Sequence, residues 1–98
     1  MIGTFKDSHL ARFYWDDQIH KKIPADLRTR LYRRLQMLDI AQSERDLRHP
    51  PGNHYEKLSG NLGGWCSIRV NEQWRLIFEW DEARSMASNI YLDNHSYR

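Results

Sequence analysis

The sequence predicts an α+β domain, with two helices in the first half of the chain and an antiparallel sheet in the second half. Leucines at helical spacing indicate the main helix, between residues 24 and 41. Alternating apolar and polar residues between 65 and 80 indicate two strands. Because the helices precede a run of about four strands, we expect them to cover one face of the sheet and to leave the other face open.

The first helix follows a short N-terminal strand. Residues 1–5 are predicted as that strand, and Asp7 and Ser8 are residue types that cap helix N-termini. We expect the helix to end near Asp17. Its apolar residues have helical spacing: Leu10, Phe13 and Tyr14.

The second helix has the clearest pattern. Pro24 suits its first turn, Asp26 favours its positive N-terminal end, and we expect it to run to about Ala41. One apolar stripe has the spacing i, i+4, i+8, i+11: Leu27, Leu31, Leu35 and Leu38. The arginines off this stripe indicate either a solvated helix face or a surface for an acidic protein or for RNA: Arg28, Arg30, Arg33 and Arg34.

Turn-forming residues dominate the middle of the chain. Residues 43–47 are predicted as one further helical turn, 48–53 as a loop because it contains two prolines and a glycine, and 54–58 as a short strand. Residues 59–64 are predicted as a glycine-rich turn, which lacks the Gly-Lys-Ser/Thr of a phosphate-binding loop. Residues 87–92 form the last predicted strand.

The alternation of side chains between the two faces of a strand fixes the register of the two central strands. A loop of residues 71–73 places the apolar faces of both strands on the same side, whereas a slip of one residue would set an apolar face against a polar one. The predicted cross-strand pairs are Val70 with Trp74, Ile68 with Leu76 and Cys66 with Phe78.

The same register places Arg69 directly opposite Arg75, on the face away from the core. Like charges across a ladder are destabilising, so an uncompensated pair predicts a bound anion such as phosphate. Glu56 is a candidate proton acceptor on the preceding strand, and His95, with Asp93 two residues earlier, is a candidate acid or base. Cleavage of RNA without a metal needs these groups: a base for the 2′-hydroxyl, cations for the phosphorane and an acid for the leaving 5′-oxygen.

Composition limits the class of protein. The 98 residues are 40% hydrophobic and 29% charged, which is typical of a globular domain, and the net charge of +2 is too small to indicate nucleic-acid binding. We expect neither a membrane span nor a signal peptide. The single cysteine, Cys66, is predicted in the core and allows no internal disulfide. We therefore expect a cytoplasmic protein, and no metal or cofactor.

Several segments resemble one protein family, and together they cover nearly the whole chain. They are similar to the HigB-type toxins of the RelE/ParE superfamily, the toxin halves of bacterial toxin–antitoxin pairs, also called plasmid maintenance killer proteins. SIRVNEQWRLIF, within residues 65–80, is the most specific match. The matching segments are IGTFKD, PPGN, EKLSG, WCSIRVNEQWRLIFEW and DNH.

The resemblance implies a microbial-ribonuclease-like fold with a curved sheet, and a metal-independent endoribonuclease that cleaves mRNA in the ribosomal A site and so inhibits translation. It implies a HigA-type helix-turn-helix antitoxin as partner, with operator DNA bound only through that antitoxin. Arg75 matches the arginine that these toxins place at the scissile phosphate. Asp93 and His95 match the ends of the Asp-Tyr-His with which many members close.

The chain departs from this family at three positions. Asn94 replaces the tyrosine of that triplet, Glu56 stands where some members have histidine, and Ser59 stands where some have lysine. Either Glu56 or the nearby His54 is then the general base.

On this interpretation Arg69 assists at the phosphate, while Lys57 and the arginines of residues 28–34 contact ribosomal RNA. Two alternatives lie outside catalysis. One is a non-catalytic toxin that binds another target such as DNA gyrase, and the other is a degenerate toxin retained for antitoxin binding.

Overall fold

A computed structural model describes residues 1–94, and in it helices pack against one antiparallel sheet, as predicted. The helices are α1 (Ser8–Asp16), α2 (Arg28–Ile40) and the single turn α3 (Glu44–Leu47). The strands are β1 (Glu56–Lys57), β2 (Trp65–Arg69), β3 (Trp74–Asp81) and β4 (Met86–Asn94), and they are neighbours in that order. Short 3-10 turns occupy Ala25–Leu27, Pro51–Asn53 and Gly60–Leu62.

The helices end close to the predicted residues, but α2 begins at Arg28, after the 3-10 turn Ala25–Leu27, and not in the turn that follows Pro24. Asp7 precedes α1, and Asp17 ends it in the left-handed conformation, with a φ of 57°. The predicted α2 stripe is buried at the centre of the core, and α2 ends before Ala41. The sheet contributes its inner face to the same core through Cys66, Ile68, Val70, Leu76 and Phe78.

The predicted register of the central strands is confirmed. Cys66 pairs with Phe78, Ile68 with Leu76 and Arg69 with Arg75. The turn of residues 71–73 is stabilised by Asn71, whose Oδ1 accepts the backbone N–H of Gln73 and of Trp74, each at 2.8 Å. A short polar side chain that caps its own turn in this way explains why the loop has three residues.

Two predicted strands differ from the structure. Residues 1–5 run parallel to β4 through isolated bridges, Ile2 to Ala87 and Phe5 to Ile90, and form no full strand. The strand predicted for residues 54–58 is reduced to Glu56–Lys57, because His54 adopts the left-handed conformation with a φ of 45° and cannot continue a strand.

The expectation of an open outer sheet face is wrong. Ser67, Arg75 and Ile77 lie on that face and are buried, at 1%, 7% and 5% exposure. The physical reason is the small size of Ser67, which lets the long Arg75 side chain lie over its hydroxyl. The rings of Trp65 and Tyr91 occupy the same face and meet edge-on with their centroids 5.9 Å apart.

Within the described residues, no helix has the length and apolar character that crossing a membrane requires.

Candidate active site

Arg75 is the centre of the polar part of the outer face. Its Nε and Nη2 donate to the Ser67 hydroxyl at 3.1 and 2.8 Å, and Nη2 also donates to the main-chain oxygen of His54 at 2.9 Å. Nη2 lies 3.1 Å from Oε1 of Glu56. The guanidinium is therefore held in one orientation by groups on three segments of the chain.

Arg69 lies beside Arg75 but has different partners. Its Nη1 lies 3.2 Å from Nε2 of His54, and its main-chain oxygen accepts a hydrogen bond from Nε of Arg34 at 2.9 Å. The left-handed backbone of His54 thus directs its carbonyl to Arg75 and its ring to Arg69. The prediction that the arginine pair is uncompensated is wrong, because Glu56 balances the charge of Arg75.

Strand pairing places Asp93 in one line across the sheet with Arg75 and Arg69. Asp93 lies opposite Arg75 on the neighbouring strand β4, and it is half-buried. Glu56 lies opposite Ser67, one row along the sheet. The Glu56 carboxylate therefore lies beside the Arg75 guanidinium, while Asp93 is the neighbour of Arg75 on β4, an arrangement that places a proton acceptor beside a fixed cation.

Comparison with known proteins shows the family of this chain. Residues 3–95 match the family described as "RelE-like toxin of type II toxin-antitoxin system HigB". The chain is 56% identical to Toxin HigB-1 of Vibrio cholerae over 97 residues, which cover 99% of this chain and 100% of that protein. It is 43% identical to an uncharacterized protein of Haemophilus influenzae over 93 residues, or 95% of this chain and 90% of that protein.

The chain belongs to the family of RelE-like HigB toxins. Its membership of a type II toxin–antitoxin system implies an antitoxin partner.

In this HigB toxin the closing triplet is only partly within the described residues. Asn94, which replaces the family's tyrosine, pairs with Trp74 in the sheet, and its Oδ1 accepts a hydrogen bond from Nε2 of Gln73 at 3.0 Å. His95, the predicted acid or base, lies outside the described residues. Its relation to Asp93 and Arg75 stays a prediction.

Lys57 lies apart from the other predicted residues of the toxin's outer face. Glu56 and Lys57 are consecutive in a strand and point to opposite faces. Nζ of Lys57 lies 3.0 Å from Oε2 of Glu44. This carboxylate also accepts a hydrogen bond from the Tyr55 hydroxyl at 2.9 Å, and the same hydroxyl lies 3.2 Å from Sγ of Cys66. Cys66 is buried, which confirms the prediction of a core cysteine, and this burial raises the pKa of its thiol.

A cleft of about 380 Å³ connects α2 of the toxin with the turn between β2 and β3. Burial lowers the pKa of Arg34 in this cleft, and the positive charge of Arg30 nearby lowers it further by a smaller amount. None of the arginines in this cleft forms an ion pair with a carboxylate in the part of the chain that the structure describes: Arg30, Arg33, Arg34 and Arg69. The α2 arginines thus continue the cationic surface that begins at Arg69.

Sequence reasoning missed Ser67 as a partner of Arg75 in this HigB toxin. The signal was present, because in the predicted register Ser67 pairs with Ile77 and is therefore the diagonal neighbour of Arg75. Within residues 1–94, no group of three or more histidine, cysteine, aspartate or glutamate side chains is arranged to hold a metal ion.

Proposed function

We propose that this toxin is an endoribonuclease that cuts mRNA on the ribosome, by a metal-independent reaction, and thereby inhibits translation. The observation that supports this best is the fixed orientation of Arg75 beside Glu56. Cleavage of RNA requires a cation for the charge that develops on the phosphorane and groups that move two protons. A guanidinium held in place beside the Glu56 carboxylate meets the first need and part of the second.

The ion pair of Glu56 and Arg75 is the resting state of the site. The Glu56 side chain is 60% exposed and the Arg75 side chain 8%, so the carboxylate is the partner that is free to move. A substrate phosphate that binds Arg75 displaces Glu56. This displacement frees the Glu56 carboxylate to accept a proton from the substrate.

The reaction proceeds by transfer to the 2′-oxygen. Glu56 accepts the 2′-hydroxyl proton, the 2′-oxygen attacks phosphorus, and the bond from phosphorus to the 5′-oxygen breaks. Arg75, assisted by Arg69, stabilises the added negative charge. His95 donates a proton to the leaving 5′-oxygen and Asp93 orients its ring. The products are a 2′,3′-cyclic phosphate and a 5′-hydroxyl. In a variant of the scheme, His54 replaces Glu56 as the base.

Cationic side chains other than Arg69 and Arg75 bind the ribosome. The α2 arginines of residues 28–34 and Lys57 contact ribosomal RNA phosphates, so binding weakens as salt concentration rises. The toxin acts in the cytoplasm. Its antitoxin is of the HigA type and carries the helix-turn-helix that binds operator DNA.

The burial of Arg75 also favours a second function. A guanidinium that is 7% exposed and already matched by a hydroxyl and a carboxylate is suited to a purely structural role. In that case the toxin acts without cutting RNA, on a target such as DNA gyrase, or it is a degenerate toxin retained for antitoxin binding.

Induced expression followed by primer extension on cellular mRNA separates these functions. The nuclease gives codon-linked breaks that disappear in Arg75→Ala and persist in Arg84→Ala, which removes an exposed arginine from the β3–β4 turn. Growth arrest with intact mRNA and an SOS response would establish the gyrase-type function instead. Expression without any growth defect would indicate a degenerate toxin.

A further inference from the structure

A groove of about 430 Å³ lies between the end of α1 and the first turns of α2, on the helical side of the sheet. Its apolar part is formed by Phe13, Ile19 and Tyr32. Phe13 is buried and meets the Tyr32 ring edge-on with their centroids 6.3 Å apart. Ile19 and Tyr32 are 67% and 40% exposed. Exposed apolar side chains gathered around a concavity are typical of a binding surface for another molecule.

The charge around this groove is mainly positive. Arg28 and Arg33 line it from α2, and Asp17 lines it from the end of α1. Nε of Arg28 is shielded from solvent and has no hydrogen-bond partner among the described residues. An unsatisfied buried donor costs free energy, and a carboxylate that draws this guanidinium outward can accept from Nε and a terminal nitrogen together. The groove therefore favours a ligand that is apolar and acidic.

We propose that the antitoxin binds in this groove, with an apolar side chain between Ile19 and Tyr32 and a carboxylate paired with Arg28 and Arg33. The partner is a protein because the chain is a type II toxin. Ribosomal RNA, proposed above to contact the α2 arginines, would satisfy their charge but would leave Ile19 exposed, so it does not account for the apolar part of the groove. A second copy of the toxin is disfavoured because a two-fold contact would bring Arg28 and Arg33 close to their own copies.

Binding of the purified cognate antitoxin to isoleucine variants tests the apolar part. Ile19→Asp places a charge where the apolar side chain docks, and we expect the Kd to rise by about 30-fold or more. Ile40→Asp is the matched control, because Ile40 is equally apolar, 76% exposed and at the far end of α2. Circular dichroism melting verifies that both variants fold. An unchanged Kd for Ile19→Asp, or equal weakening by both variants, would overturn the proposal.

Charge reversal tests the acidic part. Arg28→Glu should weaken binding by about tenfold or more at low salt, whereas Arg45→Glu, which reverses an exposed arginine on α3, should not. A matching acid-to-lysine change in the antitoxin should restore binding to Arg28→Glu. Failure of every such change to restore it would refute the pairing with a carboxylate.

Two further readouts separate this proposal from its competitors. Sedimentation of the toxin alone shows whether a second copy of the toxin occupies the groove. A toxin dimer that dissociates in Ile19→Asp would overturn the assignment to the antitoxin. Growth arrest on induction of the toxin tests the proposed nuclease activity separately from antitoxin binding. Ile19→Asp should remain as toxic as the parent, because the groove and Arg75 lie on different sides of the sheet.

Discussion

Oε1 of Glu56 lies 3.1 Å from Nη2 of Arg75, so that an ion pair between β1 and β3 spans the whole width of β2. The short side chain of Ser67, on the strand between them, makes this possible. The pair gives a nearly buried guanidinium a mobile counter-ion that is mostly exposed. In the proposed ribonuclease reaction a substrate phosphate would therefore compete with Glu56 for Arg75, and this competition would set how tightly the site binds RNA.

Removing Glu56 should separate binding from catalysis. Glu56→Gln removes the competing charge, so we expect tighter binding of a short single-stranded RNA together with cleavage that is slower by about 100-fold or more, because the base is lost. Fluorescence anisotropy measures the first effect and single-turnover cleavage the second. Glu82→Gln, in the exposed turn between β3 and β4, is the matched control and should change neither.

The same pair of measurements distinguishes the two candidate bases. If His54 takes the proton, Glu56→Gln leaves the cleavage rate near that of the parent, while His54→Ala abolishes cleavage. A Glu56→Gln variant that binds RNA more weakly than the parent would contradict the competition between carboxylate and phosphate.

Ser67→Ala should loosen Arg75 without removing its charge. The hydroxyl accepts from both Nε and Nη2, and its loss leaves two buried donors with one partner fewer. We expect the free energy of unfolding to fall by about 1–3 kcal/mol. We also expect the cleavage rate to fall with little change in RNA affinity, because the guanidinium is retained but is held less firmly.

Thermal melting and single-turnover kinetics check this prediction. Ser59→Ala removes an exposed hydroxyl from the turn that precedes β2 and should be neutral in both assays. Unchanged stability in Ser67→Ala would mean that the hydroxyl does not order Arg75.

The periodicity of apolar residues was enough to predict the core and the strand register, but not how deeply the side chains on the outer face of the sheet are buried. The leucines of α2 and the alternation of residues 65–80 each define a face, and parity then leaves one possible pairing. The burial of Arg75 depends on the way in which a long side chain folds over its neighbours. The alternation of residues along a strand carries no information about that. The left-handed conformation of His54 was also not predicted, because few residues other than glycine adopt it and the sequence does not mark which of them do.

Asn53 should prove to be the anchor of the loop that carries His54. It is fully buried, and its Nδ2 donates to the main-chain oxygens of Leu47 at 3.2 Å and His49 at 2.9 Å. Asn53→Ala leaves two inward-facing carbonyls with one partner fewer, so we expect the protein to lose about 1–3 kcal/mol of stability.

Amide hydrogen exchange locates the effect of Asn53→Ala. Protection should fall in the loop of residues 48–55 before it falls in β2 or β3. Asn61→Ala, at an exposed position, is the control. A variant in which the loop remains as protected as in the parent would show that the prolines alone fix its conformation.

The pH dependence of stability should reveal the network around Glu44. The hydrogen bond from Lys57 is the largest cause that lowers the pKa of this carboxyl; burial opposes it, and the bond from Tyr55 adds to it. A carboxyl with a lowered pKa stabilises the fold above its unfolded pKa, and the contribution is lost as pH falls through the folded pKa. We therefore expect Glu44→Gln to be less stable than the parent at pH 7, by about 1 kcal/mol.

Chemical denaturation of both proteins between pH 7 and pH 3 measures this difference. It should shrink below about pH 4.5, the ordinary range of a glutamate carboxyl, because protonation makes the parent resemble the variant. Lys57→Met should destabilise the parent but add little in the Glu44→Gln background, since the two side chains act as one pair. A difference that stays constant over the whole pH range would mean that Glu44 contributes through packing and not through its charge.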